Sequence, residues 1–368
     1  MAAAMPGTGR HLALGPAANS VSDELHRGLP RERYGSVMSL RPQRWTPPKA
    51  TPRARERHSA PPMPEPRLLD LPGDVPEDVV LAPDGRVVTG VSGGAILAVD
   101  PRDGAVEQIA DTGGRPLGLH ADPDGSLLIC DSERGLLRLS APHATLEVLV
   151  EEVDGQRLTF ASNVVADADG TIYFSASTRR YSFEEYLGDF FEHSGTGRLF
   201  RRTPDGRVET LLDGLQFANG VVLAPDRSQV LVAETAAYRV ARYHLSGSQA
   251  GTSDYLVENL PGLPDNMGLG SDGLIWVALV TPRNPLLDML LPLPGILRRL
   301  VWAIPSGLQP KPVRTAWVQA YGFDGALVHD LQREADAYAM VTGVAERDGT
   351  LYLGSLAESA IAEVRLAP

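Results

Sequence analysis

Apolar positions along this chain fall in short alternating runs that are cut, again and again, by a turn centred on aspartate. Six times an Asp is followed by Gly or a substitute and then by a β-rich stretch: Asp84 (PDGRVVTGV), Asp124 (PDGSLLICD), Asp169 (ADGTIYFSA), Asp226 (PDRSQVLVA), Asp272 (SDGLIWVAL) and Asp348 (RDGTLYLGS). Asp-Gly between apolar runs is the strongest short-range hairpin signal, because both residues tolerate positive φ. The Arg227 copy is weaker. The intervals of 40, 45, 57, 46 and 76 residues match the period of propeller blades, with several strands per unit. The predicted fold is therefore all-β, a six-bladed β-propeller over residues 66–368. The two long intervals carry insertions, STRRYSFEEYLGDFFEHSGTG in the third blade and TPRNPLLDMLLPLPGILRRLVWAIPSGLQPKP in the fifth. Pro66–Gly73 is expected to close the ring as the outermost strand of the last blade, beside SAIAEVRL, which removes an exposed sheet edge.

Seven residues before each Asp, where an innermost strand should enter the central channel, stand Glu77, Leu117, Ser162, Asn219, Asp265 and Val341, with Asn163, Asn266 and Thr342 one step later. Four of these six equivalent slots hold oxygen-bearing side chains. Inner strands converge on one axis, so Glu77, Asn163, Asn219, Asp265 and Asn266 are predicted to form a ring. Carboxylate and amide oxygens without cysteine or recurrent histidine are a hard-cation set, and calcium is the first choice. Manganese or zinc could replace it in a loose site. The competing reading is that these residues cap strand ends and bond turn backbone.

Composition narrows the chemistry. A formal net charge of −12 argues against a nucleic-acid partner. The first 66 residues hold eleven prolines and ten Lys and Arg against five Asp and Glu. Residues 1–65 are read as a disordered Pro/Arg-rich extension, and the body beyond is strongly acidic. Cys130 is a buried inert thiol by default, and two lysines leave Schiff-base chemistry almost no candidate. GVSGG (Gly90–Gly94) lacks the helix a nucleophile elbow needs, and GLGSDG (Gly268–Gly273) is followed by a strand where a dinucleotide site needs a helix. The histidines, His120 included, are assigned no chemistry. The apolar run in the fifth-blade insertion is broken by Asp288, Pro292, Pro294, Arg298 and Arg299, so no transmembrane segment is expected. It is instead a lid over the channel mouth or, across residues 281–312, a surface for a homo-oligomer. The aromatics of the third-blade insertion could complete the lid. Without a continuous apolar leader, a cytoplasmic location is expected.

At PEDV, EHSGTGRL, FANGV, LPGLPDNM, LVWAIPSGLQPKP and ERDGTLYLGS the chain resembles the superfamily of gluconolactonases, paraoxonases and strictosidine synthases, six-bladed propellers with one site on the axis. The resemblance implies calcium ligands at Glu77, Asn163, Asn219, Asp265 and Asn266. It also implies a substrate side of the site that includes Asn163, Leu117 and Thr342. The sequence departs from the family at Leu117, where paraoxonases carry a histidine, at Val164, where they carry an acid for a second calcium, and at Thr342, where strictosidine synthase carries its glutamate. The expected function is metal-dependent hydrolysis of lactones or aryl esters, with Asp265 or Glu77 as general base. The alternatives are a cyclase, isomerase or condensing enzyme of secondary metabolism, and a non-catalytic binding propeller.

Overall fold

The Asp turns form hairpins of two kinds in the computed structural model, which describes residues 40–142, 145–304, 312–334 and 337–366. In five copies the Asp carboxylate accepts the N–H two residues on, at 2.8–3.0 Å, from Arg86, Ser126, Thr171, Ser228 and Leu274. There only the residue after the Asp has positive φ, for example Gly85 at 89° and Arg227 at 58°. The side chain supplies a turn contact that a left-handed Asp would otherwise have to replace. In the sixth copy Arg347 pairs directly with Thr350, and both turn residues are left-handed, Asp348 at 50° and Gly349 at 75°. This tighter turn shifts the last blade by one residue relative to the Asp, so its axial slot is Thr342 rather than Val341.

Six four-stranded antiparallel sheets follow in chain order, with a small hairpin, Glu152–Val153 with Gln156–Arg157, beside them among the described residues. Their innermost strands are Val79–Leu81, Pro116–Ala121, Ala161–Ala166, Ala218–Leu223, Gly262–Leu269 and Val341–Arg347. Each inner strand touches the next, and the sixth touches the first, so the ring is closed. Arg67–Asp70 pairs antiparallel with Ala360–Arg365 in the register Arg67↔Glu363 to Asp70↔Ala360, which is the closure the sequence predicted. The core lies between blades. Trp276, Val318 and Leu353, for instance, pack in one cluster spanning blades five and six.

The expected disorder of residues 1–65 does not hold over 40–65, which lie against the propeller. Arg53 donates from Nε and Nη2 to both Asp330 oxygens at 2.7 and 3.0 Å, with its guanidinium 4.6 Å from the Trp317 ring centroid. Met63 is fully buried in the cluster between blades five and six. Proline-rich sequence without periodicity hid this, because the segment needs only a few anchoring side chains and no regular element. Residues 1–39 lie outside the described residues. Met63→Ala is expected to lower the unfolding free energy by about 2–5 kcal/mol, the range for emptying a large buried site, as measured by urea titration. A change below about 0.5 kcal/mol would show that residues 56–65 are not part of the folded unit.

Candidate axial site

At the channel, five of the six inner strands bulge. The pairing register shifts between Pro116 and Leu119, Ala161 and Val164, Ala218 and Val221, Pro264 and Met267, and Val341 and Val344. A bulge sets two residues opposite one and breaks the strict alternation of faces. Consecutive side chains such as Asp265 and Asn266 can therefore both face the axis.

The first of each pair forms a rim containing Glu77, Asn219 and Asp265, with Leu117, Ser162 and Thr342 at the other slots. Asn219 donates its amide to Asp265 Oδ1 and accepts Ser162 Oγ–H at 2.9 Å. Thr342 donates to the Glu77 carbonyl at 2.6 Å. The second of each pair alternates around the ring: Asp78, Asn163 and Asn266 in odd blades, Gly118, Gly220 and Gly343 in even ones. Asn163 Nδ2 donates to Asp78 Oδ2 at 3.1 Å and to Asn266 Oδ1 at 3.0 Å. Asp78 Oδ2 also accepts Leu119 N–H at 3.0 Å, and Asn163 Oδ1 accepts Val221 N–H at 2.9 Å. The glycines are needed because a Cβ on Gly118 would lie 2.4 Å from Asn163 Cα, and one on Gly220 2.4 Å from Met267 N. Asp78, Asn163 and Asn266 thus pin the blades together.

All five predicted ligands therefore meet on the axis, but in two layers with different duties. Glu77, Asn219 and Asp265 keep oxygen lone pairs for a ligand. Asn163 has its oxygen on Val221 and its amide on two neighbours, and Asn266 Oδ1 is taken by Asn163, while Asn266 Nδ2 is buried without a partner among the described residues. Leu117 belongs to the apolar cover, and Thr342 is spent on backbone. The sequence reading missed Asp78, although it stands one step after Glu77 as Asn266 does after Asp265.

Electrostatics favour a cation. Glu77, Asp78 and Asp265 are each at most 7% exposed, and among the described residues the one guanidinium in contact is Arg115, whose Nη2 is 3.4 Å from Glu77 Oε2. Burial raises Asp265 well above the usual carboxylate range, with Glu77 and Asp78 adding repulsion. Burial likewise raises Glu77 against the pull of Arg115, and lifts Asp78 to about 7. Excess negative charge in a dry site is relieved by protons or by a positive ion. Among the described residues no three His, Cys, Asp or Glu side chains gather at metal-holding spacing, so an ion here would draw on the Asn219 amide oxygen as well as on Glu77 and Asp265. An all-oxygen set of this kind fits calcium.

A lid shuts the site. The third-blade insertion carries α1 (Leu187–Glu192), and its Phe183, Tyr186 and Phe190 pack on Phe160, Phe217 and Leu117, with Leu287 of the fifth-blade insertion at the edge. Burial and the nearby Glu77 and Asp265 push the Tyr186 phenol up to about 12. The two later helices, α2 (Pro285–Leu290) and α3 (Gly295–Trp302), back this lid rather than forming it. Leu290 and Leu291 are buried, but Met289 and Leu300 are 57% and 61% exposed. Residues 305–311 lie outside the described residues. A strap of residues 40–49 clamps lid and helices. Gln43 N–H donates to Glu192 O at 2.7 Å, Trp45 stacks on His193 at 4.3 Å, and Arg298 bridges Phe191 O and Gln43 O at 2.8 and 2.7 Å.

Comparison with known proteins agrees with this architecture. A family model described as strictosidine synthase matches residues 162–248, and one described as strictosidine synthase-like, N-terminal, matches residues 65–99. The adipocyte plasma membrane-associated protein of Rattus norvegicus is 33% identical over 326 residues, covering 82% of this chain and 85% of that protein. Strictosidine synthase-like protein 6 of Arabidopsis thaliana is 31% identical over 300 residues, with 79% of each covered. Among solved structures, a gluconolactonase from Xanthomonas campestris aligns with a TM-score of 0.60 at 18% identity, over 87% of this chain and 95% of that one. Regucalcin of Agrobacterium tumefaciens, a calcium-binding protein, gives 0.57 at 16%, over 83% and 97%. No described helix is long and apolar enough to cross a membrane.

Trp45→Ala should loosen the lid, speeding amide hydrogen exchange across residues 187–193 by about tenfold or more, the equivalent of losing about 1.4 kcal/mol of closure. Unchanged exchange would mean that the strap is passive. Asp78 also sets a pH dependence. Burial lifts its pKa from the ordinary aspartate value of 3.8 to about 7, so the folded state holds that proton more tightly. Chelator-treated protein should therefore gain stability as pH falls from about 7 to 5 and lose it as pH rises through 7, and Asp78→Asn should flatten this slope in thermal melts.

Proposed function

The chain belongs to the strictosidine synthase-like family, and from that premise and the axial chemistry we propose that it is a metal-dependent hydrolase of lactones or aryl esters. The observation that carries the reading is the gathering of Glu77, Asp78 and Asp265 in a dry axial site, with Arg115 alone in ionic contact among the described residues. Oxygen donors and unbalanced negative charge suit a divalent cation, calcium first, held by Glu77, Asn219 and Asp265. Such an ion would polarise the scissile carbonyl and offset the charge that develops on its oxygen.

The chain's own groups divide the remaining work. Glu77 is paired with Arg115, whereas Asp265 takes its side-chain hydrogen bond from the neutral Asn219 amide. Asp265 is accordingly assigned as the base. Water attacks the acyl carbon and gives its proton to Asp265, the acyl C–O bond breaks, and the leaving alkoxide or phenoxide takes that proton back from Asp265, which regenerates the base. Asn219 holds the Asp265 carboxylate in place. Phe183, Tyr186 and Phe190 exclude bulk water, which strengthens the interactions beneath them.

The gluconolactonase and regucalcin likenesses support the reading only through the shared fold. Against the condensing-enzyme alternative stands Thr342, which occupies the sixth-blade slot and has its hydroxyl committed to the Glu77 carbonyl. An apolar outer face at Met289 and Leu300 suits a homo-oligomer through residues 281–312.

The test is a lactone and aryl ester panel run beside elemental analysis of the purified protein. Hydrolysis should fall by at least about a hundredfold on chelation and return with calcium. Asp265→Asn should lower kcat by about 100- to 10,000-fold, the range for losing a general base. Hydrolysis indifferent to chelator, or an active Asp265→Asn protein, would overturn the assignment.

A further inference from the structure

Two residues before each rim slot the chain passes a third circle of six positions, of which Phe160, Phe217 and Leu263 pack with the lid aromatics. Five are apolar: Val75, Phe160, Phe217, Leu263 and Met340. The sixth is Arg115. Four of the apolar five, Val75, Phe160, Phe217 and Met340, hold φ between 56° and 61°, a costly conformation for residues with bulky side chains. Arg115 is instead fixed through its backbone, its N–H donating to Asp131 Oδ1 at 3.1 Å and its carbonyl accepting Ser132 N–H at 2.9 Å.

The Arg115 side chain is 7% exposed, and only part of its guanidinium is used. Nη2 donates to Val75 O at 3.2 Å and makes a long contact to Glu77 Oε2 at 3.4 Å. Nη1 is buried and has no partner among the described residues. The Phe183 ring of the lid lies 5.0 Å from the guanidinium carbon. With one face covered by that ring, the free edge is the direction left for a partner, and a planar fork of N–H groups edge-on is the geometry that receives a carboxylate. A buried cation with an unspent donor is costly unless something satisfies it.

We propose that Arg115 is a specificity residue that binds a carboxylate carried by the substrate, so that the site prefers anionic lactones or esters over neutral ones. This rests on the hydrolase reading and names its substrate class. Leu117, in the slot where the sequence departs from paraoxonases, belongs to the apolar cluster under the lid and offers an acid group no hydrogen bond, whereas Arg115 does. The competing arrangement is a buried water joining Nη1 to Asp131 Oδ2, which also lacks a partner among the described residues.

The experiment compares phenyl hydrogen succinate with phenyl butanoate for the wild type, Arg115→Met and Arg115→Lys, alongside calorimetric titration of each protein with succinate. The ratio of kcat/KM for the anionic over the neutral ester should fall on the order of tenfold to a hundredfold in Arg115→Met, as for a lost charge-assisted hydrogen bond, and by less in Arg115→Lys. Because the quantity read is a ratio, any common loss from disturbing Glu77 cancels. Succinate binding should be measurable in the wild type and absent in Arg115→Met, with Arg115→Lys reporting if the Met variant does not fold. An unchanged ratio, or equal succinate binding with and without the guanidinium, overturns the proposal in favour of the bridging water. If neither ester is hydrolysed but succinate binding still depends on Arg115, the hydrolase reading fails and the anion site stands.

Discussion

The site depends on one backbone device, the bulge at the mouth of five of the six inner strands. A regular strand sends successive side chains to opposite faces, so it could offer the axis one residue per blade. Five register shifts, each at the same place in its blade, remove that limit. Six strands then supply two tiers rather than one. The deeper tier, Asp78, Asn163 and Asn266, spends its hydrogen bonds on neighbouring blades and so fixes the ring diameter. The upper tier of Glu77, Asn219 and Asp265 sits on that rigid floor with lone pairs to spare. Glycines in the even blades make the arrangement possible, because three polar side chains fill the axis and a further Cβ from Gly118 or Gly220 would collide with backbone.

Burial then turns these geometric neighbours into chemistry. Exposed carboxylates at such distances would be screened by water, but here each is at most 7% exposed. At the effective dielectric of a protein interior, like charges a few ångströms apart repel by several kcal/mol. The lid therefore acts on the carboxylates as much as on a substrate, and the strap acts on the lid. Trp45, stacked on His193, joins these levels. Burial drives His193 down to about 3, so it remains a neutral aromatic surface at physiological pH and the stack is indifferent to ordinary pH changes.

Much of this was legible in the sequence. The Asp turn located every blade, and an offset of seven residues found Glu77, Ser162, Asn219 and Asp265 because hairpin geometry fixes the distance from turn to channel. The same offset missed by one in the sixth blade, where a two-residue turn replaces the longer loop, and Val341 stood in for Thr342. The division between ligand-bearing rim and structural pin was not legible, since Asn163 and Asn219 are the same residue type and differ only in which backbone N–H comes within reach. Nor was the strap. Gln43, Trp45 and Met63 lie in proline-rich sequence with no period, and each is held by a contact to a residue far away in the chain. The aromatic insertions were recognised as lid candidates, but which one closes the site depends on helix direction. Met289 and Leu300 face outward while Phe183 and Phe190 face in.

The three tiers carry different amounts of information about function. The pin can hardly vary without changing the ring, and it speaks to stability. The rim sets the kind of chemistry, since carboxylates and an amide oxygen at one point favour a hard cation and a base whatever substrate arrives. The circle above it joins neighbouring blades through its backbone, Phe160 N–H donating to Ser132 O and Met340 N–H to Thr315 O, so ring closure does not dictate its side chains, and this chain places Arg115 among them. A fold of this type supports many reactions, and the residues that distinguish them should be sought two positions before the rim and in the lid that rests there, where Leu117, Arg115 and Phe183 meet.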